Sequence, residues 1–148
     1  MTTVVSPVSG KAVDLTYVPN ESFASEVVGP GMAIDPVRAV GKAVAPIDGV
    51  VDELSPYQFT VHGDDGRGIR VYLGVDTNRL SGKGFHSLVT KGDRVKAGQP
   101  VAAWDVTAVE SGGCSPIVPV VALHASAGSL DVRTTGPIVS GDALYDWW

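Results

Sequence analysis

Apolar and polar positions alternate over short runs along this chain and seldom follow a helical period. The clearest case is Ile69-Arg70-Val71-Tyr72-Leu73. Its aliphatic side chains fall on one strand face, expected to be the core face, and Arg70 and Tyr72 fall on the other. Tyr57 shares its parity with Phe59 and Val61, so its side chain points either to the core or to an apolar patch. Further β-rich runs occupy 43–45, 50–54, 59–62, 100–104 and 117–123. Turn signals cut between them, among them Ser9-Gly10, Gly29-Pro30-Gly31, Asp48-Gly49, Asp64-Asp65-Gly66, Gly92-Asp93 and Gly141-Asp142. Short strands at this spacing predict an all-β, antiparallel sandwich or barrel-like fold. Two very short helices are expected, one at 21–28 capped by Asn20 and one near 106–110 following Asp105.

The pattern also repeats. Pro7-Val-Ser-Gly-Lys-Ala-Val-Asp-Leu15 matches Pro46-Ile-Asp-Gly-Val-Val-Asp-Glu-Leu54 as Pro, aliphatic, small polar, Gly, any, apolar, any, acid, Leu. Each copy reads as a turn feeding a strand, and two such units would pack across a pseudo-symmetric sandwich.

Composition narrows the function classes. The 148 residues suffice for one domain, 1–148, with its own core. Hydrophobic residues make up 44% and charged ones 18%, a globular balance. Net charge is −5 and Lys and Arg form no runs, which argues against nucleic acid as the main partner. No apolar stretch approaches the ~20 residues that span a bilayer, and the first residues lack the pattern of a secretory leader. A cytoplasmic protein without membrane insertion is expected. The single Cys114 excludes an internal disulfide and reads as a small apolar filler. Oligomeric state stays open.

Eight segments, in order, resemble the glucose-type IIA components of the bacterial sugar phosphotransferase system. They are Ser6-Pro-Val-Ser-Gly10, Val18-Pro-Asn-Glu-Ser-Phe-Ala24, Val28-Gly-Pro-Gly-Met-Ala-Ile-Asp-Pro36, Val44-Ala-Pro-Ile-Asp-Gly-Val50, Leu73-Gly-Val-Asp-Thr77, Leu80-Ser-Gly-Lys-Gly-Phe85, Lys91-Gly-Asp-Arg-Val-Lys-Ala-Gly98 and Ser115-Pro-Ile-Val-Pro-Val-Val121. The likeness runs from about residue 5 to about 145. It begins so early that no membrane-touching N-terminal extension of the kind some members carry is expected. The Lys91–Val101 turn also looks like the hairpin of lipoyl and biotinyl domains, which supports a duplicated hybrid-motif sandwich and not a cofactor.

The resemblance implies a shallow apolar depression holding two histidines. One takes phosphoryl from the carrier HPr and passes it to a sugar-permease domain. Both positions are tyrosine here: Tyr57 in Ser-Pro-Tyr-Gln-Phe and Tyr72 in Val-Tyr-Leu-Gly. The flanks persist, so the resemblance implies a supporting or recognition face of Ser55, Phe59, Leu73, Gly74, Asp76 and Thr77, with Phe85 and His86 near its rim.

The exchange removes the chemistry. A neutral imidazole nitrogen is nucleophilic near pH 7, whereas a phenol of pKa ~10 is ionised in only about one molecule in a thousand. A tyrosine phosphate ester is also far more stable than a phosphoramidate, so onward transfer runs uphill. Zinc is not expected at the site, because tyrosine is an uncommon zinc ligand, and no other metal or cofactor is implied. Of the remaining histidines, His62 reads as a solvated surface residue at a strand end and His124 as a boundary residue with no chemistry at the end of a hydrophobic strand. Asp76 reads as a turn-stabilising carboxylate. The chain end, Tyr145-Asp-Trp-Trp148, is expected to dock on the domain's own sheet or to anchor a partner.

Two functional readings follow. In the first, the chain binds HPr, a sugar-permease IIB or IIC domain or another uptake protein, and cannot accept phosphoryl. In the second, it is a working phosphocarrier through an unexpected acceptor, His62 or a tyrosine, or in an active parent sequence. Whether the tyrosines are natural or engineered is open at this level.

Overall fold

Glycine- and proline-marked turns break the chain into fourteen short strands and two short helices among the described residues, 1–24 and 29–148 of a computed structural model. In order these are β1 (Thr2–Val5), β2 (Gly10–Asp14), α1 (Glu21–Ala24), β3 (Gly31–Pro36), β4 (Val40–Val44), β5 (Gly49–Ser55), β6 (Gln58–His62), β7 (Gly68–Tyr72), β8 (Phe85–Ser87), β9 (Arg94–Val95), β10 (Pro100–Asp105), α2 (Val106–Ser111), β11 (Val118–Ala122), β12 (Leu130–Val132), β13 (Gly136–Ile138) and β14 (Ala143–Trp147). The all-β expectation holds. All pairings between strands are antiparallel, and every β-rich run read from the sequence overlaps a strand.

Both helices start where their caps predict. Asn20 Oδ1 accepts from the Ser22 N–H at 2.9 Å, and Asp105 Oδ1 accepts from the Ala108 N–H at 3.2 Å. The expected helix at 21–28 is observed over Glu21–Ala24, and 25–28 lie outside the described residues.

The repeat extends well beyond the two nine-residue copies. The eight-stranded sheet runs β13-β2-β3-β11-β7-β6-β5-β9, and two three-stranded sheets run β1-β14-β12 and β4-β10-β8. Strands β2 and β5, which carry the repeated sequence, each lie second from an end of the large sheet. The backbone exchanges reciprocal bonds across the pseudo-twofold: Val5 N–H donates to Pro46 O at 2.9 Å and Val44 N–H to Pro7 O at 2.8 Å. The turns before β14 and β10 match as well, with Gly141 N–H donating to Ser6 O and Gly98 N–H to Ala45 O, both at 2.9 Å. The repeated glycines have one cause. A Cβ on Gly10 would stand 2.1 Å from Asp35 O, and one on Gly49 would stand 2.2 Å from His62 O. The partner strand passes too close for any side chain.

A single core joins the three sheets. Val4, Ile34, Val51, Phe59, Val71, Trp104 and Tyr145 all belong to it. On the outer face of the large sheet, the segment around α1 covers a second, smaller cluster that includes Leu15, Val18, Phe23, Val75 and Val121. Tyr72 packs at the edge of this second cluster. The alternation along β7 dictates that placement: Ile69 and Val71 go inward and Tyr72 goes outward.

The chain end docks on the fold. Tyr145 is fully buried and its hydroxyl donates to Val120 O at 3.0 Å; burial pushes its phenol pKa well up. Trp147 is buried, whereas Trp148 is 60% exposed and its Nε1 donates to Asp131 at 2.7 Å. Arg67 holds this end with bonds to Trp147 O (2.5 Å) and Trp148 O (2.7 Å), and its guanidinium lies 4.8 Å from the centre of the Trp147 ring system.

Candidate functional site

The site is built at the end of the β6–β7 hairpin. Strands β5 and β6 are joined by the two-residue turn Pro56-Tyr57, closed by the Ser55 Oγ–H donating to Gln58 O at 3.3 Å. Tyr57 therefore sits in a turn and not in a strand, so strand parity does not govern its side chain. Its carbonyl accepts from the Leu73 N–H at 2.8 Å, tying the turn to the end of β7. Gln58 pairs directly with Tyr72.

These contacts bring Tyr57, Gln58 and Tyr72 to one open depression of about 280 Å³. Phe23 and Asn20 enter from the α1 side, and Gly74, Val75, Asp76, Thr77 and Asn78 from the turn that follows β7. Phe23 meets Tyr72 edge to face, with centroids 4.7 Å apart and rings at 77°. Tyr57 meets Phe85 at 6.4 Å, and Phe85 stacks on Trp104 at 6.1 Å. Both phenol rings are thus held by aromatic contacts.

The turn after β7 is conformationally demanding. Gly74 has φ +89°, and a Cβ there would stand 2.5 Å from Thr77 Cγ2 and 2.9 Å from Ser115 O. Asp76 is left-handed at φ 59°, a region that Asp tolerates better than most residues. Thr77 is buried and its hydroxyl donates to Leu73 O at 3.1 Å, bracing the turn.

Several expectations about individual residues need correction. Phe59 and Leu73, assigned to the recognition face, are each 1% exposed and belong to the core. Their place in the strand alternation points them inward. His86 pairs with Ala103 on the exposed edge strand β8 and lines a separate groove with Val40 and Gly84. The Asp76 carboxylate makes no capping bond to the turn Thr77–Leu80. The turn uses its backbone instead, with the Arg79 N–H donating to Asp76 O at 3.2 Å.

The depression differs in chemistry from the apolar one expected. Among the described residues no Lys, Arg or His lines it, and its one charged group is Asp76. The side chains of Gln58, Asp76 and Asn78 and the two phenols make no hydrogen bond or ion pair among the described residues. Asn20 and Asn78 were not foreseen, because chain separation hides their meeting. Gln58 was within reach: a two-residue turn after Ser55 sets residue 58 beside the end of β7.

The histidines lie elsewhere. His62 is at the far end of β6, four residues or roughly 13 Å from Gln58. It stands 3.8 Å from Asp52 and lines a groove with His124 and Arg67. No group of three His, Cys, Asp or Glu among the described residues is arranged to hold a metal ion.

The family of the phosphoenolpyruvate-dependent sugar phosphotransferase system, EIIA 1, matches residues 2–127. The chain belongs to this family. It is 31% identical to the glucose-specific EIIA component of Haemophilus influenzae, over 95% of this chain and 85% of that protein. It is 37% identical to the N-acetylglucosamine-specific EIICBA component of Klebsiella pneumoniae over 97% of this chain, but spans only 22% of that protein's length. The fold superimposes on the glucose permease IIA of Mycoplasma capricolum with a TM-score of 0.89 at 28% identity, covering 97% of this chain and 93% of that one. The EIIA scaffold is therefore shared almost throughout. No helix among the described residues is long and apolar enough to cross a membrane.

Proposed function

We propose that this protein is a cytoplasmic IIA-like recognition module of sugar uptake that cannot carry phosphoryl. The observation that supports this reading is a depression lined by both tyrosines and by no histidine among the described residues. A phenol there lacks the basicity of imidazole near neutral pH.

The docking surface, in contrast, is kept. Tyr57, Phe23 and Tyr72 supply rigid aromatic contact area at the depression, a composition common at protein interfaces. The partners in this reading are an HPr-like carrier and a sugar-permease IIB or IIC domain, or another uptake protein. The names of the EIICBA relatives, which join an A part to B and C parts in one component, support the second of these. The protein would occupy such partners as a permanently unphosphorylated IIA. Amide chemical-shift mapping with an unphosphorylated HPr and with an isolated IIB domain tests the docking. Saturable shifts at 57–58 and 72–78 are expected with at least one of them, and no binding to either would contradict the proposal.

A further inference from the structure

The unpartnered groups of the depression have a chemistry of their own. Gln58 and Asn78 offer amides without partners among the described residues, each with donors and an acceptor. Asp76, on a left-handed backbone, offers an exposed carboxylate with two acceptor oxygens and no partner among the described residues. Tyr57 and Tyr72 add two phenolic hydroxyls. The edge-to-face pair Phe23–Tyr72 supplies an apolar wall beside them. Polar groups unpaired among the described residues of a concave site, beside an aromatic wall and with no cation among its described lining, match a neutral polyhydroxylated ligand. Vicinal hydroxyls pair with a carboxylate and with amides, while the C–H face of a pyranose ring covers an aromatic ring.

We infer that this depression is a binding site for a neutral monosaccharide and discriminates against its phosphate ester. The discrimination comes from Asp76, the only charged residue among the described ones lining the site. A sugar phosphate would bring a like charge close to it with no Lys or Arg to compensate. The inference stands apart from protein docking, because it needs only the isolated chain.

Titration of the 15N-labelled protein with neutral hexoses and N-acetylhexosamines, with the corresponding 6-phosphates, and with tetramethylammonium tests it. Saturable millimolar shifts are expected for at least one neutral sugar, centred on 57–58 and 72–78. Its 6-phosphate should bind about tenfold more weakly, and Asp76→Asn should narrow that gap about fivefold. Gln58→Ala should weaken neutral-sugar binding by up to about tenfold, the loss of one or two hydrogen bonds. The amide spectrum of each variant reports whether it is folded. The inference is overturned by the absence of saturable shifts with any neutral sugar, by shifts centred elsewhere, by tighter binding of the phosphate ester, or by a preference for tetramethylammonium.

Discussion

The two ends of β7 use polar and aromatic residues in opposite ways. At its start, Arg67 donates to the carbonyls of Trp147 and Trp148 and covers the Trp147 ring. On β14, which carries Trp147, Asp146 accepts from Thr3 at 2.8 Å and from Arg133 at 3.0 Å. At its other end, Tyr72, Gln58, Asp76 and Asn78 have no hydrogen-bond or ion-pair partner for their side-chain groups among the described residues. Groups that hold a fold together are satisfied within it. Groups left open in a concave surface are available to something outside. The groups at the first end are thus satisfied within the fold, and those beside the second, where Tyr72 ends β7, are open among the described residues.

Substitutions at the two ends should separate these roles. The largest effect is expected at Gly74→Ala, where a left-handed backbone and a clash with Thr77 combine. A loss of about 3 kcal/mol, read by urea denaturation, is expected. That would show that the open site rests on a rigid turn. Arg67→Ala should cost about 2–3 kcal/mol through two charge-assisted bonds and the ring contact, with no effect on partner or ligand binding.

The tyrosines give a matched contrast. Tyr145→Phe removes a buried hydroxyl bond to Val120 and should cost about 1 kcal/mol.

Asp146 adds a pH signature to the structural end. Its hydrogen bond from Thr3, and then the Arg133 guanidinium, hold its carboxyl below the usual carboxylate range. Because the folded value lies below the unfolded one, its stabilisation is fully present above the unfolded carboxylate value of about 4. It is lost as pH falls through the folded value. Asp146→Asn should therefore lower thermal stability at pH 7 and flatten its decline in acid. A variant with the parental acid profile would detach Asp146 from the structural set. The smallest effect is expected at the open end. Tyr57→Phe and Tyr72→Phe should each change stability by less than about 0.5 kcal/mol, since their hydroxyls bond nothing among the described residues. A larger loss at either would erase the contrast.

The sequence carried some of this and not the rest. The strand at 69–73 was legible because apolar and polar residues alternate over the run, and those at 50–54 and 59–62 because β-branched or aromatic residues lie between turn signals. Strands such as Arg94–Val95 and Gly136–Ile138 were not, because two or three residues show no period and exist only through their neighbours' registers. The nine-residue repeat was visible, but its full extent was hidden, since β1 and β4 share backbone geometry and almost no side-chain pattern. At the site, the outward face of Tyr72 followed from alternation. The meeting of Asn20, Phe23 and Asn78 with the tyrosines did not, because it depends on how α1 and the turn after β7 lie over the large sheet. Phe59 and Leu73 were placed on the face by likeness to relatives, whereas the parity of Leu73 with Val71 already pointed inward.

In the proposed function, an intact EIIA scaffold recognises partners without carrying phosphoryl. Its most direct test is transfer from radiolabelled phosphorylated HPr to the purified protein, with the acid and base stability of any label, alongside HPr binding. Measurable binding with no label on the protein is the predicted result. Acid-labile label on a histidine, mapped to His62 by its substitution, would contradict the account.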